Sequence, residues 1–120
     1  IRTRHDVDEL RADLHTARTI VIVGGGYVGL EAAAVLSKAG KRVTLVEAQG
    51  RLLARVAGPE VSGFYRAAHE ANGVTILLDA QVDALEGETR VRAVRLADGS
   101  ALPADLVIVG IGLVPSVAPL

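Results

Sequence analysis

Apolar positions along this chain follow two rhythms, continuous runs and strict alternation, and each marks a different kind of element. Ile20 to Val23 is an unbroken apolar run of β-branched residues, and Leu106 to Val109 is a second apolar run. Runs of this kind predict strands of a parallel sheet buried on both faces. Between Tyr27 and Ala39 the chain is rich in Ala, Leu and Val, and Val28, Ala32, Val35 and Leu36 recur at helical spacing. The segment is expected to be a helix that stops at Gly40. Lys41 to Glu47 then reads as a second strand, with Val43, Leu45 and Val46 leading to an acid. A loop from Ala48 to Pro59 holds Gly50, Arg51, Arg55 and Gly58. Pro59 suits the first turn of a helix reaching about Ala71, which Asn72-Gly73 closes before a strand over Val74 to Leu78. Ahead of all these, His5 to His15 reads as a short amphipathic helix, capped by Asp6 or Asp8, with Val7, Leu10 and Leu14 on one face.

From Ala80 the rhythm changes to alternation. Gln81 to Leu85, Arg90 to Leu96 and Ala101 to Pro103 are expected to form three antiparallel strands, turning at Glu86-Gly87-Glu88 and at Asp98-Gly99. Asp105 to Gly110 should then rejoin the parallel sheet and end in Gly110-Ile111-Gly112, at the carboxyl edge where such sheets bind ligands. The tail from Val114 to Leu120 carries Pro115 and Pro119 and reads as a linker. The expectation is an α/β fold, a Rossmann-like three-layer domain with a parallel sheet and a three-stranded antiparallel β-meander as crossover. It occupies residues 1–120 as a single domain.

The joint between the first strand and the helix carries the chemistry. Gly24, Gly26 and Gly29 stand in a Gly-x-Gly-x-x-Gly pattern. The first allows a tight turn, the second lets a pyrophosphate approach the backbone, and the third lets the helix pack closely on the sheet. The helix's free N–H groups and positive dipole end face the same place. Glu47 closes the next strand where a ribose would lie, able to accept hydrogen bonds from its hydroxyls. A glycine turn used only to pack helix on sheet is the alternative, but strand, turn, helix, strand and acid in this order favour a dinucleotide site.

Composition narrows the field. The chain has 120 residues, half of them apolar, enough for one core. Phe64, Tyr27 and Tyr65 are the only aromatic rings of their kind, so that core is aliphatic. A net charge of −1 with scattered basic residues gives no footprint for nucleic acid or for an anionic membrane. No apolar run approaches the length of a bilayer span, and Ile1 to Arg4 does not read as a signal peptide, so a cytoplasmic protein is expected. The absence of cysteine excludes a disulfide framework, a thiolate metal site and a redox dithiol within these residues. His5, His15 and His69 are too dispersed for a metal set, so surface or helix-packing roles are expected. Asp83, Glu86 and Glu88 read as a solvated charged hairpin. With no methionine, even at position 1, the chain is expected to be a piece of a longer protein.

The segments GGGYVGLEAA, VTLVE, RLLARV, VSGFYRAAHEANGV and DGSALPADLVIVGIGLVP, in that order, resemble the NADH-binding domain of the pyridine nucleotide-disulfide oxidoreductase superfamily. Within it they are most similar to ferredoxin reductases of oxygenase and cytochrome P450 systems, of the putidaredoxin and rubredoxin reductase type. The resemblance spans nearly the whole chain. It implies that hydride passes from NADH to FAD and that electrons then leave singly to a ferredoxin or rubredoxin. It also implies that the chain is an insert of a larger FAD-dependent reductase, inactive alone, since only eighteen residues precede Thr19 and no FAD fingerprint lies among them.

Carried onto this chain, the resemblance places cofactor contacts at Gly24, Gly25, Gly26, Tyr27, Val28 and Gly29, with pyrophosphate on the backbone of Gly26, Tyr27 and Val28. Tyr27 is either a gate over the nicotinamide or an edge aromatic packed on the sheet. Glu31 is similar to the glutamate that meets the nicotinamide carboxamide, the alternative being stabilisation of the helix end. Glu47 takes the adenosine ribose, and its neighbours Ala48 and Gln49 lack the positive charge a 2′-phosphate requires, favouring NADH over NADPH. Arg55 and Arg51 match arginines of the loop that closes over the phosphates, with an ordinary solvated charge as the alternative. Gly110, Ile111 and Gly112 line the nicotinamide side. No residue of the chain is assigned as catalytic and none as a metal ligand. Two other functions stay open: the same domain in an NADH oxidase, a nitrite reductase or a dihydrolipoamide dehydrogenase relative, or a non-catalytic NADH-sensing module. Glu31 speaks against the sensor, which has no need of a carboxylate at the nicotinamide.

Overall fold

The computed structural model describes residues 15–88, 90–109 and 112–114, the last three by their backbone. The helix expected over His5 to His15, His15 apart, and the tail from Pro115 lie outside those residues. Strand β1 (Thr19–Val23) leads into helix α1 (Tyr27–Lys38) and strand β2 (Arg42–Val46). Helix α2 (Pro59–Ala71) and strand β3 (Thr75–Leu77) follow, then β4 (Val82–Glu86), β5 (Ala93–Leu96) and β6 (Ala101–Pro103). β7 (Leu106–Val109) and β8 (Gly112–Val114) complete the order. One sheet runs β3-β2-β1-β7-β8, parallel as far as β7, and a second, antiparallel sheet runs β4-β5-β6. This is the expected Rossmann-like architecture with a meander in place of a crossover helix.

The β-branched runs explain the three layers. Because side chains alternate along a strand, Ile20 and Ile22 of β1 face one way while Val21 and Val23 face the other. The first pair joins Val43, Leu45, Leu106 and Ile108 under Leu30 and Ala33 of α1. The second pair joins Val46 and Val107 against Val91, Val94 and Leu96 of the meander. Both faces of the sheet are therefore apolar, and burying each such side chain contributes roughly 1.5–3 kcal/mol. In-register pairing of Ile20 with Val43 and Leu106, and of Ile22 with Leu45 and Ile108, keeps every strand's faces aligned. At the amino edge Asp105 accepts from the Arg18 N–H at 2.9 Å and the Thr19 N–H at 3.0 Å. The Arg18 bond first, then that of Thr19, holds its carboxyl below the usual carboxylate range.

Two features depart from what the sequence pattern alone suggests. Val28 and Val35 do not face the core but are 63% and 66% exposed, while Gly29, Leu30 and Ala33 are buried. The cause is the closeness of helix to turn: a Cβ on Gly29 would stand 2.2 Å from the Gly24 carbonyl oxygen. That contact rotates the small-residue face of α1 onto the sheet. The second concerns the end of the chain, where Gly112–Val114 pairs antiparallel with β7, Val114 opposite Val107, and Val114 is thus a strand residue. Element ends otherwise shift by one to three residues, and Ala93 rather than Arg90 opens β5. Glu86 is paired, its Oε2 accepting from Arg95 Nε at 2.7 Å. Among the described residues no helix is long and apolar enough to cross a membrane.

Candidate functional site

At the carboxyl end of β1 the chain turns through Gly24 and Gly25 and enters α1 at Gly26. Gly24 has a φ of 113°, which side-chain-bearing residues rarely adopt. Gly26 is the N-cap, and no side chain bonds the helix start. The Leu30 N–H bonds the Gly26 carbonyl at 3.0 Å, so the N–H groups of the three residues before Leu30 are the helix's unsatisfied donors. A Cβ on Gly26 would meet nothing within 4 Å, so the space beyond the turn is open.

Glu47, half-buried just after β2, reaches back to this turn. Its Oε1 accepts from the Gly25 N–H at 2.6 Å and its Oε2 from the Gln49 N–H at 2.7 Å. A carboxylate offers about four lone-pair sites, so both oxygens keep acceptor capacity for a ligand hydroxyl. Gly25 is thereby assigned a job that the glycine pattern alone does not reveal. Its N–H is used by Glu47, and a Cβ there would lie 2.9 Å from Glu47 Oε1 and 2.7 Å from Leu52 Cδ2.

The loop after β2 forms the opposite wall. The Leu53 N–H donates to the Gly25 carbonyl at 2.9 Å, with Leu53 buried and at a φ of 56°. Ser62, the buried polar residue of α2, donates its hydroxyl to the Leu52 carbonyl and its backbone N–H to the Gly58 carbonyl at 3.1 Å. Sequence reasoning missed both residues, because a lone Leu in a loop and a lone Ser in a helix carry no pattern. Arg51 turns into the loop: its Nη2 donates to the Ala57 carbonyl at 2.9 Å and reaches the Ala54 carbonyl at 3.4 Å.

These segments enclose a cleft of about 440 Å³ lined by Gly24, Gly25, Gly26, Tyr27, Glu47, Gln49 and Arg55, with Leu53, Ala54 and Val56. Ala48 is shared with a cavity of about 670 Å³ between the parallel sheet and the meander, beside Leu78, Ala80 and Asp98. Ser100, by its hydroxyl and then its N–H, holds the Asp98 carboxyl below the ordinary range. Tyr27 is shared with a cavity of about 380 Å³ lined by Leu30, Glu31, Tyr65 and His69.

The structure thus brings most of the expected residues to one edge. Val28 lies in the exposed helix start and Gly29 beneath it. Glu31 sits in the second turn, beyond the helix's first turn, which holds no acid, and lines the neighbouring cavity. Tyr27 packs edge-on against Tyr65 of α2 at 6.1 Å. Arg51 is not among the residues that line the cleft. Gly110 and Ile111 fall outside the described residues, while Gly112 pairs with Val109 at the carboxyl end of β7. His69 packs between the helices, its ring nitrogens 2.9 Å from the Tyr65 and Leu30 carbonyls. Among the described residues no group of His, Cys, Asp or Glu side chains is arranged to hold a metal ion.

Fold and edge together define a Rossmann-like α/β domain whose open glycine turn faces an acid at the end of the second strand. Residues 1–120 match the pyridine nucleotide-disulphide oxidoreductase family, and the chain belongs to it. It is 58% identical to the 5,5′-dehydrodivanillate O-demethylase ferredoxin reductase subunit of a Sphingobium strain, over all of this chain and 30% of that protein. Among solved structures, the ferredoxin reductase for the CYP199A2 system from Rhodopseudomonas palustris superposes with a TM-score of 0.83 at 36% identity, over 95% of this chain and 28% of that one. The putidaredoxin reductase of a covalent complex with putidaredoxin does so with a TM-score of 0.82 at 46% identity, over 95% and 28%. The chain therefore spans about 30% of the length of the curated relatives it matches. Ferredoxin reductases are prominent among the relatives, among them a ferredoxin–NAD(P)+ reductase of a Sphingomonas species that is 52% identical over all of this chain and 29% of that protein.

Proposed function

We propose that this chain is the NADH-binding domain of a longer, FAD-dependent reductase of the cytoplasm that passes electrons to a ferredoxin or rubredoxin. The observation that carries the reading is the glycine cleft, where an uncapped helix start, an open approach at Gly26 and the Glu47 carboxylate converge on one space. Each answers a part of the cofactor. The N–H groups at the start of α1 suit a diphosphate. Glu47, with lone pairs to spare, suits the two hydroxyls of an unphosphorylated ribose. Ala48 and Gln49 bring no positive charge for a 2′-phosphate, which the Glu47 carboxylate would repel. Arg55 supplies the cleft's cation. The cavity past Ala48 gives room for the adenine, and Tyr27 leads on to Glu31 at the nicotinamide end.

NADH, when bound, supplies a hydride. This chain's residues bind and orient it toward a flavin held by the remainder of the longer protein. The likeness to a putidaredoxin reductase solved with putidaredoxin supports an iron-sulfur protein as the acceptor. Calorimetric titration of the chain with NADH and NADPH tests the reading. Binding of NADH with NADPH much weaker is expected, and equal affinity for the two would refute the assignment of Glu47.

A further inference from the structure

We propose that Arg51 is a positioning residue that holds the wall of the glycine cleft in shape, with no contact to the nucleotide. The inference rests on reading that cleft as the NADH site and assigns a role within it. Leu53 is the starting point. It carries a full side chain yet stands at a φ of 56°, and its side chain is 2% exposed. A strained conformation of this kind persists only where its surroundings over-determine it. Here they do so from three sides. The Leu53 N–H is bound to the Gly25 carbonyl at 2.9 Å, and its own carbonyl accepts from Val56 at 3.0 Å and Ala57 at 2.9 Å. Ser62 fastens Leu52 and Gly58 to the first turn of α2. Arg51 spans the far end, one guanidinium nitrogen lying 2.9 Å from the Ala57 carbonyl and 3.4 Å from that of Ala54.

The residues between these ties, Leu53 to Val56, line the cleft, and Arg51 does not. A guanidinium suits this task because the two hydrogens of Nη2 are fixed in its plane, one toward each carbonyl, whereas the donors of an ammonium turn freely on a flexible stem. Arg51 and Arg55, four residues apart, therefore divide the work: one holds the loop and the other faces the ligand.

The two roles separate by experiment. In the chain without nucleotide, Arg51→Gln should speed hydrogen exchange of the Leu53 amide by about tenfold, the scale of one lost charged hydrogen bond. The Ile20 and Ile22 amides should keep their protection. The NADH dissociation constant should rise about tenfold, by equal factors at low and high salt, and Arg51→Lys should not restore it. Arg55→Gln should instead weaken binding mainly at low salt, as loss of a screened charge contact does. Ser62→Ala, which changes no charge, should reproduce the Arg51→Gln pattern in milder form and serves if that variant does not fold. Wild-type affinity in Arg51→Lys, a salt-dependent loss in Arg51→Gln, or an unchanged Leu53 amide would each overturn the proposal. Failure of the wild-type chain to bind NADH would overturn the nucleotide reading itself, and is told apart because the exchange rates are measured without nucleotide.

Discussion

Glu47→Ala is the perturbation that reaches furthest into the site. The side chain joins two segments, accepting from the Gly25 N–H at 2.6 Å and the Gln49 N–H at 2.7 Å. Hydrogen bonds to a charged partner contribute about 1.5–3 kcal/mol each, but Glu47 is only half-buried, and screening brings each to about 1 kcal/mol. Truncation to Ala should therefore cost the folded chain about 1–2 kcal/mol. On the proposed reading it also removes the acceptor for the ribose hydroxyls. NADH binding should weaken by a further 1–3 kcal/mol or so, roughly a 5- to 150-fold rise in dissociation constant. Glu47→Gln keeps one acceptor but turns an amide NH₂ toward one of the two backbone donors, so it should fall between Ala and wild type. Calorimetric titration with NADH gives the binding loss, and urea denaturation without nucleotide gives the stability loss. An Ala variant that binds NADH as tightly as wild type refutes the ribose assignment. One with an unchanged urea midpoint refutes a stabilising role for the bonds to Gly25 and Gln49.

Three further outcomes are expected. Gly29→Ala sets a methyl group 2.2 Å from the Gly24 carbonyl, a backbone atom that cannot swing away, so it should cost about 3 kcal/mol or more in urea denaturation; a wild-type midpoint would show that the helix can lift without penalty. Leu45→Ala empties a fully buried position on an interior strand of the sheet and should cost about 3–5 kcal/mol by the same measurement, a loss below about 1 kcal/mol contradicting the packing described. Asp105→Asn should destabilise the chain at neutral pH. Because the folded carboxyl titrates below its unfolded value, its contribution is present above the unfolded pKa and fades as pH falls through the folded one. Urea midpoints of the two proteins should thus converge as pH falls below the ordinary aspartate value of about 3.9, and an offset constant from pH 7 downward would reject the backbone bonds from Arg18 and Thr19 as its source.

The architecture was legible wherever burial leaves a one-dimensional trace. A parallel strand covered on both faces needs apolar side chains at every position, so Ile20 to Val23 and Leu106 to Val109 announce themselves. The meander's alternation does the same for a strand with one wet face. The rotation of α1 was not legible, because Val28 and Val35 have both the character and the spacing of core residues. What decides it is the smallness of Gly29 and Ala33, which lets the helix sink onto the turn, and close approach outweighs side-chain size. β8 was hidden for a related reason. Three residues before a proline are too few to show a period, and their strand character comes from pairing with β7.

The site divides along the same line. Glycine positions and the terminal acid can be read because they answer local demands: a positive φ at Gly24, a close contact at Gly29, a carboxylate where β2 stops. The bonds that turn these into a site run between segments far apart in sequence and leave no periodic mark. Gly25 illustrates the difference. In the linear pattern it is an intervening position between the first two motif glycines, with no stated task. In space it is the point where Glu47, 22 residues away, takes hold of the turn, and a side chain there would collide with that carboxylate and with Leu52. The glycine turn and the acid therefore form one mechanical unit, with Leu53 bonded to the same Gly25 from the other side. Moving the acid moves the turn that presents the helix N–H groups. Affinity for a ribose and affinity for a diphosphate are in consequence not independent quantities in this cleft, and substitutions at Gly25 and Glu47 should combine with less than additive loss, as expected for residues that share a contact.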